Sequence, residues 1–290
     1  MNSTSQLPFY RKMIQLLRNA LDLLDNQGRE EVLSFILSQQ NPDGGFQDRG
    51  GRSDLYYSLF GMLILKALEN GEPGDLSLTK ESIQKLIGFV SRKSTSEVPG
   101  FIEKCCLVLL QKELDAGWFS QIQAFLSLGR SFWKERQSIN LSYRSFVLFL
   151  TLDAVLPFRG FIKPGAKKLM ERTEVDSNSP CSEVAARVFL QKMMRQEGFE
   201  DQELLMSFAC RSGGFKAFAH LQQADMLSTA VALFALKSAG SDLRLIKPAC
   251  LDFIRQNYSD GAFLSGDGDQ THDSEYTFYG LLALGVLADS

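Results

Sequence analysis

One pattern returns along this chain, and the repetition constrains the fold more than any single residue does. "GGFQDRGGRSDLYYSLFGMLIL" begins at Gly44, "GGFKAFAHLQQADMLSTAVALFAL" at Gly213 and "DGAFLSGDGDQTHDSEYTFYGLLAL" at Asp260. Each runs Gly, aromatic, polar loop, Asp, then Ser or Thr four residues on, then an apolar helix. The hydroxyl residues Ser58, Thr229 and Thr277 mark the register. Ser58 and Thr229 lie about four steps of 43 residues apart. Fainter copies fall where that step places them, in "VPGFIEKCCLVLLQ", "INLSYRSFVLFLTL" and "PCSEVAARVFLQKM".

Six apolar segments therefore recur about every 41 to 48 residues. Amphipathic segments lie between them, at 28–40, 79–93, 117–133, 160–172, 200–211 and 242–256. Polar and apolar residues alternate in these at helical spacing, which predicts helices with one wet face. The other set is apolar nearly all round, which predicts burial. No stretch alternates at period two for long enough to read as a strand. The expected fold is all-α: an α/α toroid, or α6–α6 barrel, of about six helix-pair repeats. An open superhelical array is the alternative. An open array needs polar terminal caps, and the last repeat stays apolar almost to the C-terminus, which favours closure. "PFYRKMIQLLRNALDLLD" (8–25) is extra to the count. The expected division is an N-terminal helix over 1–27 covering the ring and a toroid domain over 28–290.

Composition excludes several classes. The net charge of -3 gives no general pull toward nucleic acid or anionic membrane. No apolar run reaches the roughly 18 residues of a membrane span. The N-terminus lacks the features of a secretory signal. Five cysteines in apolar surroundings fit reduced thiols and a cytoplasmic protein better than a disulfide framework.

Several of these residues resemble a family. "QQNPDGGFQ" and "RQNYSDGAF" resemble the glutamine–aromatic repeats of squalene and terpene cyclases. "GGFQDRGGRSDLYYSLFGMLIL" resembles the repeat that carries the active site in β subunits of protein prenyltransferases, and "SEYTFYGLLAL" the repeat before it. The resemblance covers roughly residues 28 to 288. It implies an α/α toroid and isoprenoid chemistry. The family motif runs Gly-Gly-Phe-Gln-x-Arg, a spacer with Lys, then Asp-x-Cys-Tyr-Ser. Arg49, Arg52, Asp54 and Tyr57 stand at the Arg, Lys, Asp and Tyr positions, while Tyr56 replaces the Cys. The family His before Tyr-Thr-Phe is replaced by Asp273. Chain order differs as well, and a closed ring reconciles it, because the last and first repeats become neighbours.

The resemblance implies that Arg49, Arg52 and Tyr57 hold a prenyl diphosphate, with Asp225 and Tyr276 nearby, and that Tyr56, Asp54, Asp273 and Glu275 surround its reacting end. The arginine pair precedes a helix N-terminus, where backbone N–H groups also favour anions. Without the Cys and His ligands, a Zn²⁺ site is not expected; Mg²⁺ is compatible with diphosphate chemistry. In the proton-initiated cyclases a central Asp of Asp-x-Asp-Asp-Thr is the acid, and Glu275 occupies that position in "DSEYT". Burial and Asp273 would raise its pKa. Three plainer readings stand beside these. The recurring Asp caps its helix, the arginines neutralise Asp48 and Asp54, and "GDGDQTHD" is a solvated acidic loop. A non-catalytic toroid binding a lipid or a partner protein is the alternative function. Glycan hydrolysis is a third, using Asp54 and Asp273 as paired carboxylates. Family members work with further subunits or domains, so a second protein subunit is an expected partner; nucleic acid is not.

Overall fold

The computed structural model describes residues 8–69, 73–95, 97–115, 126–132, 141–155, 174–196 and 198–289. Eleven longer helices are described: α1 (Phe9–Leu21), α2 (Asn26–Ser38), α3 (Leu55–Leu68), α4 (Pro73–Ser91), α5 (Phe101–Glu113), α6 (Leu141–Val155), α7 (Cys181–Met194), α8 (Phe199–Met206), α9 (Met226–Ala239), α10 (Lys247–Gln256) and α11 (Ser274–Ala288). A short helical stretch covers 126–132. Of the expected outer helices, 160–172 and most of 117–133, including Trp118 and Trp133, lie outside the described residues.

The two periodicities separate as their patterns require. Helix α3 buries ten of its residues, from Leu55 to Leu68, whereas α2 buries only Val32, Leu33 and Ile36. The apolar set α3, α5, α6, α7, α9 and α11 forms an inner ring in which each helix packs on the next. Helix α11 returns to pack on α3, so the ring closes. Phe60 of α3 meets Phe278 and Tyr279 of α11 with ring centroids 4.8 and 5.5 Å apart. Helices α2, α4, α8 and α10 lie outside.

Helix α1 packs against α11, α3 and α6 at one end of the ring. Its Leu17 and Leu21 are fully buried, worth roughly 1.5–3 kcal/mol each. Its first N–H, on Phe9, donates to the buried Asp153 carboxylate at 2.8 Å. Gly285 of α11 makes this contact close: a Cβ there would lie 1.9 Å from the Leu16 carbonyl oxygen.

Four two-residue strands were not expected: β1 (Phe46–Gln47) pairs with β2 (Ser53–Asp54), and β3 (Tyr258–Ser259) with β4 (Ala262–Phe263), both antiparallel. Two residues are too few to show a period. The pairing comes from the repeated Gly turn. Gly44, Gly213 and Gly261 have φ of 92°, 99° and 80°, and a Cβ on any of them would fall 2.0–2.2 Å from a carbonyl oxygen of a neighbouring outer helix. Only glycine combines that conformation with that approach. The turn then holds the aromatic residue so that its N–H donates to the register hydroxyl. Phe46 reaches Ser58 at 2.9 Å, Phe215 reaches Thr229 at 2.9 Å and Phe263 reaches Thr277 at 3.4 Å. Helix α10 starts at Lys247 rather than 242, where Pro248 suits a helix start. Helix α8 ends at Met206 because Ala209 is drawn into a bridge with Phe215.

Candidate active site at the mouth of the barrel

The inner helices of the strong repeats begin at one end of the ring, and each begins on an aspartate. Asp54 accepts from the N–H groups of Tyr56 (2.7 Å) and Tyr57 (3.1 Å), Asp225 from Ser228 (2.9 Å) and Asp273 from Tyr276 (2.8 Å). Capping thus accounts for the recurring Asp, and for Asp54 it engages the oxygen that faces its own helix.

Closure brings the first and last repeats together. Arg49 donates through Nε to Asp273 at 2.9 Å and through Nη1 to Asp269 at 2.8 Å, and its guanidinium lies 5.3 Å from the centre of the Tyr276 ring. Burial works against the Arg49 charge, but the carboxylates of Asp273 and Asp269 outweigh it and push its pKa up. Below this pair, Tyr56 donates its hydroxyl to Glu275 Oε1 at 2.8 Å. Burial raises the Glu275 pKa, and Asp273 adds to the rise against the hydrogen bond from Tyr56 and the charge of Arg49. Tyr57 lies beside Glu275 and Arg49; burial first, then Glu275 and Asp273, push its phenol up. Tyr276 is pushed up to about 12 by burial and by Asp225 and Glu275.

Arg52 is not part of this group. Its side chain is 88% exposed and its nearest carboxylate is Asp48, at 4.0 Å. The arginine pair is therefore split: Arg49 faces the seam and Arg52 faces solvent.

Tyr56 is half-buried, and it faces a central apolar cavity of about 110 Å³. Tyr143 and Tyr279 share the cavity wall, with Phe60, Phe146 and Phe278. Burial raises the pKa of all three tyrosines, so they are neutral phenols at neutral pH. Tyr143 is a site residue beyond those the family resemblance points to, and the sequence carries a signal for it. It stands two residues before Ser145, as Tyr56 stands before Ser58 and Glu275 before Thr277. The position two before the register hydroxyl is the one that faces the inner mouth.

A second, more polar recess of about 600 Å³ adjoins the first through the shared Ser182 and is lined by Phe218, Leu227, Asp225, Asp267 and Tyr276. Asp225 Oδ2 is buried with no hydrogen-bond partner among the described residues. Burial and the nearby Asp267 raise the Asp225 pKa against the bonds from Ser228.

The donors for zinc do not converge. Tyr56 stands where a thiolate would, Cys106 is buried on α5 with its thiol pushed up by burial, and His272 packs edge-on against Phe35. Among the described residues no group of three or more His, Cys, Asp or Glu side chains is placed to hold a metal ion. Between Asp269 and Asp273 the charge is supplied by Arg49. The five cysteines form no disulfide.

A closed ring of paired helices with polar groups gathered at its mouth defines an α/α toroid. The chain belongs to the prenyltransferase alpha-alpha toroid domain family, whose profile matches residues 5–107 and 182–290. Similar solved structures include a type II terpene cyclase, MstE from Scytonema, in its apo form (TM-score 0.55, 12% identity, covering 95% of this chain and 98% of that one). A wild-type glycosidase is similar to the same degree (TM-score 0.54, 12% identity, covering 100% of this chain and 98% of that one). At such identity these likenesses concern the fold. No curated protein sequence matches. Among the described residues no helix is long and apolar enough to cross a membrane.

Proposed function

We propose that the chain is an isoprenoid-handling enzyme that starts its reaction by protonating a carbon–carbon double bond, with Glu275 as the acid. Family membership supports isoprenoid-related function in general. The observation that carries the finer reading is the bond from the Tyr56 hydroxyl to Glu275, because it joins a carboxyl with a raised pKa to the wall of the apolar cavity. The charge at the mouth favours this over a diphosphate grip. Arg49 is already neutralised by two carboxylates, and Arg52 points away. Asp269 and Asp273 outnumber Arg49, and with Asp225 and Asp267 in the adjoining recess they would repel a further anion.

In this reading the last isoprene unit of the substrate enters the 110 Å³ void, which is smaller than the ~300 Å³ at which ligand pockets usually begin, and the rest of the chain lies in the adjoining recess. For the reaction the Tyr56 hydroxyl turns so that it accepts from protonated Glu275, and a proton moves from Glu275 to Tyr56 as Tyr56 gives its own to the double bond. The carboxylate left behind accepts from the hydroxyls of Tyr56 and Tyr57 until water returns its proton. The tertiary cation faces the rings of Phe60, Phe146 and Phe278. It is attacked by the next double bond, and loss of a C–H proton to water ends the sequence.

The experiment is incubation with squalene, geranylgeraniol and geranylgeranyl diphosphate, with products read by mass spectrometry and binding by thermal shift. Cyclised hydrocarbon or alcohol from the wild type, lost in Glu275→Gln while the thermal shift persists, is the expected result. No product and no shift with any isoprenoid would end this reading. A shift without product would favour a non-catalytic toroid that binds a lipid, a reading supported by the small volume of the void.

A further inference from the structure

The end of the barrel opposite the mouth carries a second concavity, of about 640 Å³, a volume typical of ligand pockets. It lies where α7, α9 and α11 end and α1 crosses them. Its rim holds Lys12, Lys192, Arg195 and Lys237 against one acid, Asp289. Its floor is apolar: Phe9, Phe149 and Phe234. Phe234 also walls the central cavity, so a single layer of rings, with Phe189 stacked on Phe234 at 5.4 Å, separates the two spaces.

Cations at helix C-termini have a plain explanation, since they offset the helix dipole and cap carbonyl groups. Carbonyl capping covers two of the four. Lys192 donates to the Ala239 carbonyl at 3.3 Å, and Lys237 donates to the Asp289 carbonyl and pairs with its carboxylate at 3.9 Å. It does not cover Lys12, which sits on α1 with its ammonium 4.7 Å from the centre of the Phe9 ring. Arg195, at the left-handed end of α7, suits the helix dipole as well, but its exposed side chain makes no hydrogen bond or ion pair among the described residues. Three positive side chains, Lys12, Lys192 and Arg195, thus stand without a carboxylate around a ring-lined floor.

We infer that this basal groove binds one molecule of an anionic amphiphile, a phosphate or similar headgroup on a single alkyl or prenyl chain. The headgroup lies among Lys12, Lys192 and Arg195, where arginine's fork and the two ammonium groups match its oxygens. The chain lies along Phe9, Phe149 and Phe234. The mouth repels such a headgroup and the base attracts it, so an amphiphile binds this toroid from the end away from Glu275. The inference does not rest on the chemistry proposed for Glu275.

Titration calorimetry with decyl phosphate kept below its micelle concentration tests it, with decanol and inorganic phosphate as the two halves of the ligand. Saturable binding at one per chain is expected, at least about tenfold tighter than for either half, and weakening as salt is added. Lys192→Glu combined with Arg195→Glu should weaken it at least about a hundredfold, since each lost charged contact is worth about tenfold. These two residues are exposed, and a circular-dichroism melt confirms folding. Arg49→Ala at the mouth should leave the affinity unchanged. The inference is overturned by absence of saturable binding, by equal affinity in the double variant, or by loss of binding in Arg49→Ala. Binding to vesicles containing anionic phospholipid without binding to monomeric decyl phosphate overturns it too, in favour of a membrane surface. Glu275→Gln should bind decyl phosphate as the wild type does, so failure here and failure at the mouth are separately visible.

Discussion

The repeats that meet at the seam and those on the far side of the ring satisfy their helix ends by different means. At the seam and beside it, α3, α9 and α11 are each capped by their own Asp, and each aromatic turn is tied to the hydroxyl of its own repeat. On the far side, α5 starts after Gly100 and α7 after Pro180, neither with a side-chain cap. Helix α6 borrows its cap: Glu183 of α7 accepts from the N–H groups of Ser142 (2.9 Å) and Tyr143 (3.1 Å). The Cys181 N–H in turn donates to the Ala217 carbonyl of the next repeat's loop. Orphan donors at helix starts must be met somewhere. Where a repeat meets them itself, the motif recurs in sequence. Where its neighbour meets them, only the apolar helix recurs.

The largest difference between the two kinds should appear at glycine. In Gly213→Ala the new Cβ meets a φ of 99° and the Ala249 carbonyl oxygen at 2.0 Å, so urea denaturation should show a loss of about 3 kcal/mol or more. Gly100→Ala, on the far side, meets only the end of the Glu103 side chain, which rotates away, and should stay within about 0.5 kcal/mol. Equal losses would remove the distinction.

Next in size is the borrowed cap. Glu183→Ala strands two donors of α6 and should cost about 2–3 kcal/mol. Asp225→Ala removes one local cap together with a carboxylate oxygen that has no partner among the described residues, and should cost about 1 kcal/mol. A larger loss in Asp225→Ala would mean that the strong repeats depend more on their own Asp than α6 does on its neighbour. Within the strong set, Ser58→Ala should cost about 1.5 kcal/mol by stranding the Phe46 N–H bonded at 2.9 Å. Thr277→Val should cost about half as much, because the Phe263 N–H is already 3.4 Å away. Reversal of that order in denaturant melts would contradict the bond lengths.

The smallest effect expected is one of pH. Burial raises the pKa of Glu275 at the seam and of Glu183 on the far side above the ordinary 4.5. Each binds its proton more tightly folded than unfolded. The stability this gives is complete below pH 4.5 and is lost as pH rises through the elevated values. Glu275→Gln should therefore melt progressively higher relative to wild type between about pH 5 and pH 8. A difference in Tm that stays constant over that range would show that Glu275 titrates as it does in the unfolded chain.

Legibility followed the same division. The ring, its inner helices and the seam were readable because "GGFQ…DLYYS" and "DGAF…DSEYT" carry their own caps, turns and register marks. Arg49, Tyr56, Asp273 and Glu275 could be placed together once closure was argued from the apolar last repeat. Tyr143 lies in a faint repeat, where its offset from Ser145 is the one local mark it carries. The two arginines looked like a pair because they are three residues apart, yet a turn between them sends Arg49 to Asp273 and Arg52 to solvent.

By itself the order of residues determined what depends on neighbours along the chain: helical faces, glycine turns, caps and a repeat length that invites a ring. Only the tertiary structure decided the rest, namely which charges cancel, how much space the centre keeps, and that the two ends of the barrel differ in sign. Those quantities depend on distances between residues far apart along the chain, as with Arg49 and Asp273 at 2.9 Å, and spacing along the chain carries no measure of them.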